Sequence, residues 1–371
     1  MAQDKDQKTL NVPPLRFPGF TDEWKKTTLG NECEIQMCKR ILAQQTNPNN
    51  GVPFFKIGTI GGNPDAYISL DLFKQFKEKY NYPQQGEILI SCAGTVGKCV
   101  RFDGAPAYFQ DSNIVWPRNY ERTYTNDYLF YILSKQDWRH LNTTTIVRIY
   151  NDDLRSVKFS YPSIEEQKKI TRLLSIVDER IETQNKIIDN LQSLIKGLSK
   201  TLTNQGEPNT RISDCLECHT STLQEGTLNE NGLYPVYGAS GIAGFLNDYR
   251  CDKDSILIIK DGSGAGTVSY ATGKYSVIGT LNYLTAKSEY SLKYLYFCLM
   301  GFNFEPFKTG MAIPHIYFRV YGQAKIYCPS IEEQEHIAKV LTIIENKLNI
   351  ESMLLKFLYM DKQYLLNNMF I

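Results

Sequence analysis

The 371-residue sequence has no apolar run near the ~20 residues that a membrane-spanning helix needs, so an integral membrane protein is not expected. Its four histidines are scattered and give a hydrolytic triad little support. There is no His-Glu-x-x-His, no Asn-Pro-Pro-Tyr-type amino-methyltransferase motif, and no Gly-rich S-adenosylmethionine loop on a strand–helix unit. The chain is therefore read as non-catalytic. An excess of one charge is missing too: 41 Lys and Arg stand against 40 Asp and Glu, for a net charge of +1. With no bulk positive field, binding to nucleic acid would need local clustering. By region the balance is about +3 over residues 1–160, about +1 over 161–203, about −1 over 204–328 and about −2 over 329–371. The polar stretch Met1–Lys8 has no apolar segment behind it and does not read as a signal peptide. The nine cysteines then read as reduced thiols, and the cytoplasm is the expected compartment. What is present, 42% apolar and 12% aromatic residues, suffices for packed cores and excludes a disordered chain. The length suits two or three domains.

One repeat organises the chain. Pro162-Ser163-Ile164-Glu165-Glu166-Gln167 returns unchanged as Pro329-Ser330-Ile331-Glu332-Glu333-Gln334. Near the same offset Ile149-Tyr150 matches Ile316-Tyr317, Tyr128–Tyr131 resembles Tyr294–Phe297, and Ile88-Leu89-Ile90 matches Ile256-Leu257-Ile258. Gly94-Thr95-Val96 resembles Gly266-Thr267-Val268. Such an offset is far longer than any solenoid period and indicates tandem duplication of a globular module followed by a further segment.

That segment is helical by period. Ser163 and Ser330 are placed as N-caps, with Glu166 and Glu333 as capping-box partners. Ile170, Leu174, Val177, Ile181, Gln184, Ile188, Leu191, Ile195, Leu198 and Leu202 then step by alternating four and three. The second copy runs Ile337, Leu341, Ile344, Leu348, Glu351, Leu355, Leu358, Lys362, Leu365 and Met369. Sustained a/d spacing of this kind is a coiled-coil signal. Each helix is expected to span ~40 residues, roughly 60 Å. Gln184 and Glu351 interrupt the seams at equivalent positions, as frayed surface positions or as a register device about one layer either side of the midpoint of an antiparallel pair. Lys362 stands where Ile195 does, which weakens the second seam near its end.

The expected fold is α+β. Two globular domains of similar topology, residues 1–160 and 204–328, are joined by two long helices, 161–203 and 329–371, forming an antiparallel coiled coil with pseudo-twofold symmetry. Glu87–Cys92 and Ser255–Ile259 read as strands, Asp127–Ser134 and Ser291–Met300 as short amphipathic helices. Gln205–Asn209 is the break between the first helix and the second module.

Three motifs resist a chemical reading. Cys215-Leu216-Glu217-Cys218-His219 matches a haem-attachment pattern, but without export it reads as ordinary thiols, and no metal site is assigned. Asp261–Gly266 follows a strand, yet the β-prone Thr267–Tyr270 follows it, so a hairpin turn is expected rather than a phosphate loop. Gly94–Lys98 lacks the spacing of a P-loop. Polar and aromatic clusters in the turns are the better candidates. In the first module they give Lys56, Thr59, Thr95, Lys98, Arg101, Arg148, Tyr150 and Asn151; in the second, Tyr237, Ser240, Ser263, Thr267, His315, Tyr317 and Arg319. These residue types read base edges or grip phosphate, and they also occur in solvated loops.

The opening Val12-Pro13-Pro14-Leu15-Arg16-Phe17-Pro18-Gly19-Phe20, with Glu23-Trp24 and Leu29-Gly30, resembles that of specificity subunits of bacterial type I restriction-modification enzymes. So do the doubled Pro-Ser-Ile-Glu-Glu-Gln with its long helix and the turn Gly94–Gly97. The resemblance implies two target recognition domains, each reading one half of an asymmetric bipartite site in double-stranded DNA. It implies helices that set the spacing and dock two modification subunits, with Lys168, Lys169, Arg172 and Arg180 as exposed candidates for that surface. The partners would carry S-adenosylmethionine and adenine-N6 methylation, and motor-endonuclease subunits would use ATP and Mg²⁺; no cofactor is expected on this chain. The alternative is a coiled-coil scaffold or adaptor whose modules bind protein and not DNA.

Overall fold

The computed structural model describes residues 10–120, 123–138, 148–310 and 312–371; the stretch Met1–Lys8 lies outside them. The chain packs as two compact units, Met1–Glu182 with Lys356–Ile371, and Thr183–Leu355. The divisions expected at residues 160, 203 and 328 follow the chain, whereas the packing shares each long helix between the units.

The first module runs β1 (Lys25–Thr28), α1 (Leu29–Glu32), β2 (Cys33–Met37), β3 (Thr46–Asn47), β4 (Val52–Phe55), β5 (Tyr67–Ile68), α2 (Leu70–Lys79), β6 (Ile88–Ser91), β7 (Cys99–Arg101), β8 (Tyr108–Phe109), β9 (Ile114–Asn119), α3 (Asn126–Lys135), α4 (Asn151–Ser156) and β10 (Lys158–Tyr161). Two sheets form, in the orders β2-β9-β6-β7 and β3-β5-β4-β8, and β1 pairs with β10. Strand β6 is buried on both faces. Its period of two sends Ile88 and Ile90 into a core with Tyr128 and Ile132 of α3, and Leu89 into a second core with Ile114 and Trp116. Helix α5 (Ile164–Leu202) follows.

The second module runs β11 (Thr210–Arg211), α6 (Ile212–Cys215), β12 (Leu216–Thr220), β13 (Tyr234–Gly238), β14 (Gly241–Leu246), β15 (Ser255–Ile259), β16 (Val268–Ala271), β17 (Ser276–Val277), β18 (Leu281–Ala286), α7 (Leu292–Met300), α8 (Phe318–Tyr321) and β19 (Lys325–Ile326), and leads into α9 (Ile331–Asn368). Its main sheet, β12-β18-β15-β16, repeats β2-β9-β6-β7 strand for strand. The parallel pair β13–β17 repeats β4–β8. Ile256 and Ile258 enter one core and Leu257 and Ile259 the other, as in β6. The two modules therefore share one topology. Helix α2 is the chief addition in the first; the β13–β14 hairpin belongs to the second.

The repeated hexapeptide shows why it recurs. The Oε1 atom of Gln167 accepts from the backbone N–H of Thr125, the N-cap of α3, at 2.9 Å, and its Nε2 donates to the Pro162 carbonyl at 3.0 Å. Gln334 accepts from Ser291, the N-cap of α7, at 3.0 Å and donates to the Pro329 carbonyl at 2.9 Å. One buried glutamine per copy thus ties the long helix to the amphipathic helix of its own module. Next to it, Tyr131 of α3 donates to Asp178 of α5 at 2.8 Å and Tyr296 of α7 to Glu345 of α9 at 2.9 Å; the carboxylates are equivalent, while the tyrosines sit one position out of register in the two copies.

Within each unit the long helices run antiparallel. In the first, Ile170 and Leu174 share a core with Leu366, Met369 and Phe370. In the second, Ile195 shares one with Ile337, Ala338 and Leu341. Every expected seam residue is buried or half-buried. Three sequence expectations are corrected. Gln184 and Glu351 do not flank a midpoint: Gln184 Nε2 donates to the Glu351 carboxylate, and to its carbonyl at 3.1 Å. Lys362 does not loosen the seam, because its ammonium reaches Asp178 at 2.6 Å. The capping boxes are only half made. Ser163 and Ser330 accept from the N–H of Glu166 and Glu333 at 3.4 Å, but the Glu166 carboxylate turns to Arg16 at 2.7 and 2.8 Å.

Candidate nucleic-acid interface

The first module gathers its polar loops around the β6–β7 turn. Positive φ at Gly94 (66°) and Gly97 (79°) closes that turn, and a Cβ on Gly97 would fall 2.1 Å from the Trp138 ring, so glycine is required there. The Ser91 hydroxyl donates to the Thr95 carbonyl. The Cys92 N–H donates to Asn113 at 2.7 Å and the Ile149 N–H to Cys92 at 2.8 Å, which lays the 110–113 and 148–151 segments beside the turn. Lys98 Nζ donates to the Ile60 carbonyl at 2.6 Å, and the Ile57 N–H to Gln110 Oε1 at 3.3 Å. Lys56, Thr59, Thr95, Lys98, Arg148, Tyr150 and Asn151 are brought together in this way. Thr59 serves locally, its hydroxyl accepting from the Lys56 N–H at 3.0 Å. Arg101 stands apart: its Nε pairs with Asp127 at 3.0 Å and its guanidinium lies 3.6 Å from the centre of the Phe130 ring, which commits it to α3.

A residue the sequence reading missed lies at the centre of this cluster. Ser112, with φ of 50°, is the non-glycine residue held in the left-handed region among the described residues. Its carbonyl accepts from Arg148 Nη2 at 3.3 Å, and its neighbour Asp111 pairs with Arg40 at 2.8 Å. Backbone strain of this kind costs about 1–3 kcal/mol and persists only where surrounding contacts impose it. No local sequence signal marks it, because a serine reads as an ordinary turn residue.

The second module repeats the frame with other side chains. The Lys260 N–H donates to Thr280 at 3.0 Å and the Ile316 N–H to Lys260 at 2.9 Å, matching the bonds of Cys92 and Ile149. Gly266 donates to Ile259 at 2.8 Å, as Gly97 does to Ser91. Asp261–Gly266 is the turn of the antiparallel β15–β16 hairpin, as expected, and it leaves Ser263 and Thr267 exposed. Asp261 Oδ1 lies 2.7 Å from His315 Nδ1, where a histidine sits in the place of Arg148. Tyr317 is 46% exposed, with the exposed Arg319 guanidinium 5.4 Å from its ring centre. The Ile278 N–H donates to the Tyr237 carbonyl at 2.9 Å, which brings the β13 end and the exposed Ser240 at the next turn toward the same group of loops. Asp261 was missed as a partner; the Asp that opens the glycine-rich turn was its only signal.

The chemistry of the clusters is that of contact. Burial pushes the Cys92 thiol up to about 12 and Cys218 up to about 11, so neither is a ready thiolate. Cys218 and His219 are consecutive on β12 and face opposite sides of the sheet; His219 stacks on Tyr283 with 4.9 Å between ring centres. Among the described residues no group of three His, Cys, Asp or Glu is gathered for a metal, and no helix is long and apolar enough to cross a membrane.

The doubled topology with matched loop frames agrees with sequence comparison. A family model described as the type I restriction modification DNA specificity domain matches residues 21–193 and again 209–358. The chain belongs to this family. Among its relatives, a Haemophilus influenzae protein named as a type I restriction enzyme specificity subunit is 46% identical over 194 residues, 52% of this chain and 48% of that one. A Mycoplasma genitalium protein named as a type I specificity subunit is 26% identical over 258 residues, 61% of this chain and 65% of that one. In these matches the chain spans about half to two-thirds of the relatives' length. The fold of the M. genitalium type I restriction-modification S subunit crystal structure is shared with a TM-score of 0.66 at 19% identity, over 97% of this chain and 99% of that one. A structure from work on type I complex assembly and conformational transition gives 0.54 at 14% identity, over 96% and 98%.

Proposed function

We propose that this family member is the DNA-recognition subunit of a type I restriction-modification complex in the cytoplasm, each module reading one half of an asymmetric bipartite site in double-stranded DNA. The observation that carries the reading is the pair of loop clusters. One backbone frame, closed by equivalent hydrogen bonds, holds Arg148 in one copy and His315 in the other, and Lys98 in one against the exposed Ser263 and Thr267 in the other. Conserved frame with divergent tips is what two readers of different sequences require.

In this reading α5 and α9 form a coiled coil that fixes half-site spacing, by the geometric logic of dimeric DNA binders. Their exposed faces, with Lys168, Arg172 and Arg180 on α5, dock two modification subunits. Lys169 is also exposed but lies over the Phe20 ring, 4.9 Å from its centre. The chain supplies no catalysis. Its partners bring S-adenosylmethionine for adenine-N6 methylation, and motor-endonuclease subunits bring ATP and Mg²⁺ for cleavage. Replacing residues 31–150 with those of another family member tests the reading, with methylated positions read by methylome sequencing. One half of the recognised site changes and the other half and the spacing stay. A shift of both halves, or of neither, overturns it; unchanged methylation favours the protein-binding adaptor.

A further inference from the structure

The first module carries a cationic surface outside the loop cluster. Strand β2 leaves the core at Cys38 and exposes Lys39 and Arg40. Helix α2, amphipathic and anchored by the buried Phe73, exposes Lys77 and Lys79 at its last turn. The two segments meet at Tyr80. The ammonium of Lys39 lies 5.5 Å from the centre of its ring and that of Lys79 lies 5.7 Å from it; Lys77 lies 4.9 Å from that of Tyr82. Among the described residues, none of these three lysines has a carboxylate at salt-bridge distance. Clefts of about 490 and 340 Å³ flank Tyr80 and Asn81, the first lined by Lys77 and Arg118, the second by Lys39, Arg40 and Asp111.

Gathering unpaired ammonium groups in one place is unfavourable in itself. The rings offset part of that cost, at about 0.5–1 kcal/mol per exposed cation–π contact, and a polyanion would offset the rest. The surface is continuous with the loop cluster: Arg40 holds Asp111, and the next residue, Ser112, holds Arg148. Lysines are mobile point charges suited to phosphate rather than to base edges. Among the described residues the second module has no counterpart at the matching positions. It lacks α2, and Thr222 and Leu223 follow β12 where Lys39 and Arg40 follow β2.

We infer that Lys39, Lys77 and Lys79, gathered around Tyr80 and Tyr82, grip the phosphate backbone of DNA flanking the half-site read by the first module, so the two modules hold the duplex with unequal force. This rests on the DNA-recognition reading proposed above. The test uses the full chain assembled with its modification partner and a duplex of the sequence it methylates, beside a scrambled duplex. Affinity is measured from about 50 to 200 mM salt for the wild type and for the triple variant Lys39→Gln, Lys77→Gln, Lys79→Gln. Three lost phosphate contacts should make the log–log salt slope shallower by about 2.7, so the variant loses roughly 40-fold less affinity across that range than the wild type. The loss should be alike on both duplexes, with the methylated sequence unchanged. The variant with arginine at all three positions should keep the slope, and an unchanged melting temperature would show that the exposed lysines do not support the fold. An unchanged slope in the glutamine variant, or a changed target sequence, overturns the inference and leaves the parent reading intact. A wild-type complex that does not discriminate the two duplexes overturns the parent reading and this inference with it.

Discussion

The two copies of Pro-Ser-Ile-Glu-Glu-Gln start their helices in different company. At Ile164 the N-terminal arm folds back, and Arg16 grips Glu166, which is 1% exposed, through both carboxylate oxygens. The hydrogen bond to Glu166 raises the Arg16 pKa above its ordinary value. At Ile331 the equivalent carboxylate, Glu333, is exposed. What precedes the second module is only the short linker of residues 203–209, which places Asn209 on the Cys328 carbonyl at 2.9 Å. Gln167 and Gln334, by contrast, make the same pair of bonds. Identical sequence therefore gives identical structure where its partners were duplicated with it, and different structure where one partner came from outside the repeat.

That contrast can be broken at graded cost. Glu166→Gln should lower stability by about 3 kcal/mol, because it breaks a buried ion pair and strands Arg16, whereas Glu333→Gln should move it by less than about 0.5 kcal/mol. Calorimetric melts of the two variants give the comparison, and equal effects would refute it. Gln167→Ala and Gln334→Ala should each cost about 2 kcal/mol, since each leaves a helix N-cap N–H without its acceptor. Hydrogen exchange should then rise at Thr125 in one variant and at Ser291 in the other; an effect in only one copy would show the two clamps to be unequal. A smaller effect than the loss of either glutamine concerns the seam. Replacing Gln184 and Glu351 together with Leu should stabilise the helix pair by about 1 kcal/mol and relax its register, while Gln184→Leu alone should destabilise it by a similar amount, because it removes the cross-helix donor to the buried Glu351 carboxylate and leaves that group its pairing with Lys347 on its own helix.

Much of this was legible beforehand. Strands β6 and β15, helices α3 and α7, and the two long helices lie where composition and period put them, because burial on both faces, an N-cap three residues before its acceptor's donor, and a 4–3 seam are local features. The reading of Lys362 as a weak point failed because the seam was judged from one helix; Asp178, which neutralises it, lies on the other. Arg101 was grouped with the loop candidates by chain proximity to Lys98, yet strand alternation and α3 hold it elsewhere. The Tyr80 surface passed unnoticed for the same reason: Lys39 and Lys79 are 40 residues apart and nothing in either segment names the other.

By itself the sequence determined that the chain is duplicated, where its strands and long helices run, and which faces of the helices are apolar, since each follows from the pattern within one segment. The tertiary structure alone decided that Gln184 meets Glu351, that Glu166 serves the arm rather than its own cap, and that the 56–60, 91–98, 110–113 and 148–151 segments converge. Those pairings join residues far apart in sequence, and a polar group takes whichever partner the topology brings within hydrogen-bond reach when water is excluded.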